Sequence, residues 1–144
     1  MDVHTARGMV GMPVVCREKK IGRMIRADVS DDLSRMEGIW LDAGLRGTRY
    51  VPAERVEMLG NASIIVDTPG VRKPMKAGAL YRRAVSTDGR RLGAITNARI
   101  DELSFAVTAL ELSAGVWDDL FNQRSYFTRF TVNRETGEVI VEPS

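Results

Sequence analysis

Nucleophilic or metal chemistry in this chain would have to draw on a single histidine, His4, and a single cysteine, Cys16. A Ser-His-Asp or Cys-His site needs its base pinned against the nucleophile, and His4 lies at a terminus where backbone ordinarily frays. Zinc asks for three or four converging ligands, and one Cys with one His does not supply the soft part of such a set. Cys16, in step with Val14 on one strand, reads as a small buried hydrophobe. The run Asp28-Val29-Ser30-Asp31-Asp32 lacks the glycine and distal glutamate of a calcium loop; it and Asp101-Glu102 read as solvated turns. No G-x-G-x-x-G follows a strand and no G-x-x-x-x-G-K-[ST] occurs, so the usual phosphate cradles are absent. The sequence therefore predicts no catalytic residue, no metal and no cofactor.

Cations offer more. Arg17, Lys19, Lys20 and Arg23 gather around one turn, Arg46 and Arg49 flank Gly47, and Lys73, Lys76, Arg82 and Arg83 lie in or near the middle of the chain. On one face they would neutralise phosphates, with Tyr50 or Tyr81 to stack on bases. Overall charge is only +2; residues 1–66 carry +1, residues 67–83 carry +4 and residues 84–144 carry −3. A near-neutral chain with an acidic second half is a weak polyanion binder. Trp40 stands between Ile39 and Leu41, which point the other way, so it is expected on the opposite face, against the sister domain or a partner.

The elements that must position these residues come in two sets. KKIGRMIRADV at 19–29 returns 71 positions later as RRLGAITNARI at 90–100, and Ile39, Leu41 and Ala43-Gly44 fall on Leu110, Leu112 and Ala114-Gly115. The offset reaches 75 where Ile64-Ile65-Val66 meets Val139-Ile140-Val141. Two copies indicate a duplicated small domain rather than a solenoid. From Ile21, apolar Ile25, Ala27 and Val29 alternate with Arg26 and Asp28, the period of a half-buried strand. Val14–Cys16, Met36–Leu41, Thr48–Val51 and Ile64–Val66 read alike, giving about five strands per unit. Connections too short for crossover helices predict antiparallel sheets, curled into small barrels to remove their edges. Short helical turns are expected from Pro52 to Val56, stopped by Gly60, and at Asp118–Asn122. Two prolines and a glycine between Asp67 and Pro74 read as a linker. Gly22 and Gly93, each entering a strand after a charged turn, are expected to serve a bulge or a positive φ.

No segment approaches the roughly 20 apolar residues of a membrane span, MDVHTARGMVGMPVV is a poor signal peptide, and one cysteine suits a reducing cytoplasm. Asn61-Ala62-Ser63 matches a glycosylation pattern that a cytoplasmic chain would not use.

Val14-Val15, a charged turn, Ile21-Gly22, a strand ending in Asp28-Val29, an aspartate-rich turn, Ile39-Trp40-Leu41, Tyr50-Val51-Pro52, Val56 and Ile64-Ile65-Val66 together resemble the PRC-barrel domain. That domain is shared by the cytoplasmic part of the photosynthetic reaction centre H subunit and the carboxy-terminal half of a ribosome maturation factor. The likeness covers about residues 10–66 and, less fully, 81–142, where no proline answers Pro52 and Trp117–Gln123 replaces the short link. It implies an all-β chain of two tandem small antiparallel PRC-type barrels, 1–66 and 81–144, joined by a linker at 67–80. It further implies a docking role without a common active site. The expected protein is thus a non-enzymatic adaptor of a bacterial-type cytoplasm with a protein partner. An RNA- or ribosome-associated factor is the alternative, and an enzyme with a pocket between the barrels a third reading. Trp40, Arg46, Arg49, Lys73, Lys76, Arg82 and Arg83 are the expected partner contacts, and a homodimer is an open arrangement.

Overall fold

The computed structural model describes residues 4–113 and 125–142. Twelve strands and two single turns of 3-10 helix, Gly44–Arg46 and Ala53–Arg55, make up the regular structure of those residues. The first unit holds β1 (Pro13–Cys16), β2 (Lys19–Val29), β3 (Met36–Asp42), β4 (Thr48–Pro52), β5 (Val56–Leu59) and β6 (Ile64–Val66). The second holds β7 (Arg83–Ser86), β8 (Arg91–Ile100), β9 (Val107–Ser113), β10 (Ser125–Phe127), β11 (Phe130–Val132) and β12 (Val139–Val141). The all-β reading and the doubling both stand. No described helix is long and apolar enough to cross a membrane.

Three expectations about the sheets need correction. Each has six strands rather than about five; in the first, the segment expected as a helix after Pro52 makes one 3-10 turn and then extends as β5. Valine at position 56 favours the pleated surface once the turn has redirected the chain. The sheets are mixed and not purely antiparallel: β1 lies parallel to β6, and β7 to β12. Four intervening strands act as the crossover that a parallel pair needs, so no long helix is required. Nor does either sheet close into a barrel. The strand orders β4-β3-β2-β1-β6-β5 and β10-β9-β8-β7-β12-β11 leave β4 and β5, and β10 and β11, as edges. The helical turn expected at Asp118–Asn122 lies outside the described residues.

Within β2 the alternation of side chains is interrupted. Register shifts between Met24 and Arg26 opposite β3, so Ile25 is a bulge residue, and Met24, Ala27 and Val29 all reach the core. The same bulge occurs at Thr96, which puts Ile95, Ala98 and Ile100 inside. A second shared irregularity lies where β1 meets β2 and β7 meets β8, at Val14 opposite Gly22 and Ala84 opposite Gly93. The two glycines serve it differently. A Cβ on Gly22 would overlap the Asp42 carbonyl oxygen and lie 2.9 Å from Leu41 Cδ1, whereas Gly93 has a φ of +126° that favours glycine outright.

The units join about a pseudo-dyad. Met36 N–H donates to Phe105 C=O at 2.8 Å, and Val107 N–H donates to Ser34 C=O at 2.9 Å. Under the 71-residue offset each bond is the image of the other, and the Arg35–Ala106 bridge lies on the axis. The segments preceding the units follow the same symmetry. Residues 4–6 pair with β8 of the second unit, Ala6 N–H donating to Ala98 C=O at 2.8 Å, before Gly11 and Met12 bond Met24 in the first. In the linker, Arg26 of the first unit donates to the Lys76 carbonyl, before Tyr81 and Arg82 bond Ile95 in the second. Each arm thus crosses from the opposite unit to its own. Apolar side chains of both sheets, together with Met9 and Leu33, form one contiguous core.

Replacing Gly22 by Val is expected to lower unfolding stability by about 1–3 kcal/mol, the usual cost of forcing volume into a filled site. Urea denaturation followed by circular dichroism measures it, and an unchanged midpoint would show that the close approach to Asp42 is dispensable.

Candidate functional site: the outer face beneath the linker

On the face of the first sheet turned away from the core, cross-strand pairing sets Arg26 of β2 opposite Trp40 of β3, and Trp40 opposite Tyr50 of β4. The Trp40 and Tyr50 rings lie 4.8 Å apart at 58°. Tyr50 Oη donates to Asp28 Oδ2 at 2.7 Å. Gly38, paired with Asp28, has no side chain to fill the place of the Tyr50 hydroxyl, which a Cβ there would overlap. Burial, foremost, pushes the Tyr50 phenol well above its usual range, helped by the hydrogen bond to Asp28 and by the charges of Asp28, Glu37 and Glu54.

The linker closes this face. Val71 and Tyr50 exchange two main-chain hydrogen bonds, at 2.7 and 2.9 Å, so the β4 edge is partly covered. Trp40 Nε1–H donates to the Lys73 carbonyl at 2.9 Å. Lys73 Nζ lies 4.0 Å from the Tyr50 ring centre and 6.0 Å from that of Trp40, while the Arg26 guanidinium sits 5.0 Å from Trp40. Each such cation–ring contact contributes on the order of 0.5–2 kcal/mol, more as water is excluded. Lys76 Nζ stands 3.8 Å from Asp28 Oδ1, whose side chain is only 5% exposed. A carboxylate this buried needs those partners, because an unpaired one would cost several kcal/mol.

The second unit carries the same four positions with different chemistry. Asn97, Arg99, Glu111 and Tyr126 replace Arg26, Asp28, Trp40 and Tyr50 under the offset and the strand register. Asn97 Oδ1 accepts from Arg7 N–H at 3.0 Å, tying down the amino-terminal arm, and the Arg99 guanidinium lies 4.3 Å from the Tyr126 ring. The Tyr126 phenol is raised, first by its hydrogen bond to Glu111 and then by burial.

Of the residues expected at a partner surface, Trp40 is corrected. It faces away from the core as expected but has no exposure at all, because the linker backbone lies over it. Arg46 and Arg49 meet at the β3–β4 turn, Arg49 Nε donating to the Arg46 carbonyl at 3.2 Å. Lys73 and Lys76 belong to the cluster above. Arg82 crosses between units, donating to the Asp31 carbonyl at 2.6 Å and lying 3.7 Å from its carboxylate. Arg83 lies 3.9 Å from Glu138, and with Arg82 it borders an open hollow of about 550 Å³. The seven therefore fall in three places rather than on one surface. Asp28, read both as a strand residue and as the start of a solvated acidic run, is on the strand and is buried. Its place between Ala27 and Val29 signals the strand, while its burial comes from Tyr50 and Lys76 on the outer face. Among the described residues no group of three or more His, Cys, Asp or Glu side chains could hold a metal.

As chemistry, this cluster is a latch: carboxylate, phenol, indole and three cations satisfy one another and the linker carbonyls. The chain matches no protein-family model and no curated protein sequence.

Because the Tyr50 phenol is raised above the unfolded value near 10, its contribution is present below about pH 10 and is lost as the phenol is forced to ionise at higher pH. Alkaline titration by phenolate absorbance should give the same phenolate gain near pH 10 for folded wild type and Tyr50→Phe. Wild type should also lose stability more steeply than the variant above that pH. A phenolate signal near pH 10 that the substitution removes would contradict the latch.

Proposed function

We propose that the chain is a non-enzymatic protein-docking module built from two PRC-barrel-type units in tandem. The observation that carries this reading is the fate of the cations. Lys73 lies on two aromatic rings, Lys76 on Asp28, Arg82 on Asp31 and Arg83 on Glu138. A surface that tracks a phosphate backbone needs its cations directed outward and close together, and these four have acceptors within the molecule. Apolar side chains stand in water instead: Leu45, Leu103 and Tyr81 are all exposed, the kind of residue that anchors a protein interface. The fused pseudo-dyadic core supplies a platform that presents them at fixed separations.

The test is affinity capture with the tagged full chain from its native cell at physiological salt, read by quantitative mass spectrometry. A stoichiometric protein partner is expected, and recovery of nothing above background would overturn the reading. In parallel, ribosomal RNA is titrated at low salt. Binding that falls steeply with ionic strength and weakens on Arg46→Glu would establish the RNA-associated alternative in its place.

A further inference from the structure

Beside the junction, the acidic turn of the first unit faces β11 and the β11–β12 turn of the second across an open cleft of about 1070 Å³. Among the described residues β11 is an edge strand. Its bonds to β12 fall at alternate residues: Glu142 N–H donates to Arg129 C=O at 3.0 Å and Asn133 N–H to Glu138 C=O at 2.8 Å, with Thr131 opposite Ile140 between them. Alternation in an antiparallel ladder then turns the main-chain groups of Phe130 and Val132 away from β12, on the side where both residues line the cleft. Their side chains pack against the core, while Thr131 is exposed. A strand laid beside them would bury every second side chain.

At the pseudo-symmetric position a side chain already lies between the images of the two cleft walls. There the amino-terminal arm, its main chain paired with β8 through Thr5 and Arg99, sets His4 between the β5–β6 turn and the acidic turn of the second unit. His4 Nε2 lies 3.3 Å from the Gly60 carbonyl and Nδ1 lies 3.6 Å from the Glu102 carboxylate. Asp31 is the image of Glu102, and the β11–β12 turn that of the β5–β6 turn. On the open side Asp31 is engaged by Arg82, leaving Asp32 and Glu37 on the wall. Hydrogen bonds from Ser34 and Ser30 hold the Asp32 carboxyl below its usual range, so it stays charged. Arg35 and Arg134 also line the cleft, which disfavours an occupant with several cations.

We propose that this cleft receives an extended segment of a partner protein, which adds as a strand to the Phe130–Val132 edge and sets one basic side chain against Asp32. The mode is β-augmentation, in which main-chain bonds give affinity and alternate side chains give specificity. It deepens the docking reading and rests on it.

The probe is a blocked nonapeptide of alternating Val and Thr with Arg at its centre, titrated against the full chain by fluorescence anisotropy. Three comparison peptides carry Glu at the centre, three Arg residues, or N-methyl groups on the main-chain amides of one edge. Binding is expected for the single-Arg peptide, weakened about tenfold or more by each change, since one bridging hydrogen bond or charge contact is worth about that factor. Val132→Pro removes an outward N–H that no ladder bond uses, and should weaken binding about tenfold; Asp32→Asn should weaken the Arg peptide but not the Glu peptide. The N-methylated peptide keeps the test valid if the proline variant does not fold. Absence of binding, indifference to N-methylation, or preference for Glu would overturn the proposal. So would a dimer in sedimentation that Val132→Pro dissolves, which would assign the edge to a second copy. Capture of a cellular partner by both wild type and Val132→Pro would sink this cleft while leaving the docking reading intact; no capture by wild type would sink the docking reading itself.

Discussion

Two main-chain hydrogen bonds hold the molecule in register, Met36 to Phe105 and Val107 to Ser34. They run in opposite senses between residues that are images of each other, so satisfying one places the other. A main-chain group left unpaired in this setting would cost about as much as a lost hydrogen bond. The junction therefore has few alternatives once the β2–β3 and β8–β9 turns are formed. Those turns hold Leu33 and Phe105 at φ of +59° and +64°, an uncommon conformation for such residues. That strain persists because the paired bonds and the burial of Leu33 over-determine it.

From that axis follows the way the exposed backbone is managed. Neither sheet closes, which leaves edges that could pair with other chains. Val71 covers part of the β4 edge, the amino-terminal arm pairs with β8 through its main chain, and the linker meets β2 through side chains. Each arm needs a polar group on the sheet to receive it, and the two units found different ones: an arginine donating to the Lys76 carbonyl, and an asparagine accepting from Arg7. β11 is an edge without such cover among the described residues, and it is the one that borders the larger cleft.

The doubling, the strands of the first unit and the importance of Gly22 were legible because each leaves a local mark: a repeated phrase, a period of two, a glycine after a charged turn. Ile25 shows where that mark misleads. A bulge there reverses the parity of β2, and nothing in the apolar pattern separates a bulged isoleucine from a regular one. The parallel β1–β6 pair was illegible for another reason, since it joins residues about fifty apart and the rule about short connections speaks only of neighbours. Trp40 was placed on the correct face but read as available, because a segment with two prolines looks like free linker until its carbonyls are seen to have donors. Asp28 was placed on the strand and also counted with the acidic run that follows it; its burial was illegible because the groups that cover it, Tyr50 and Lys76, are distant in sequence. The cations were visible as residue types, but their acceptors lie across the fold and leave no trace in composition.

The unlike residues at matched positions on the two outer faces have a consequence of their own. In an assembly of identical subunits, every substitution appears on both sides of the axis; a change from Asp to Arg would put like charges in both places at once. Joined head to tail, the halves are released from that bookkeeping. Asp28 can keep a lysine-bearing strap while Arg99 faces a tyrosine, so one flank can specialise without the other paying in stability. A covalent join thereby turns a symmetric pair into a molecule with two distinguishable sides.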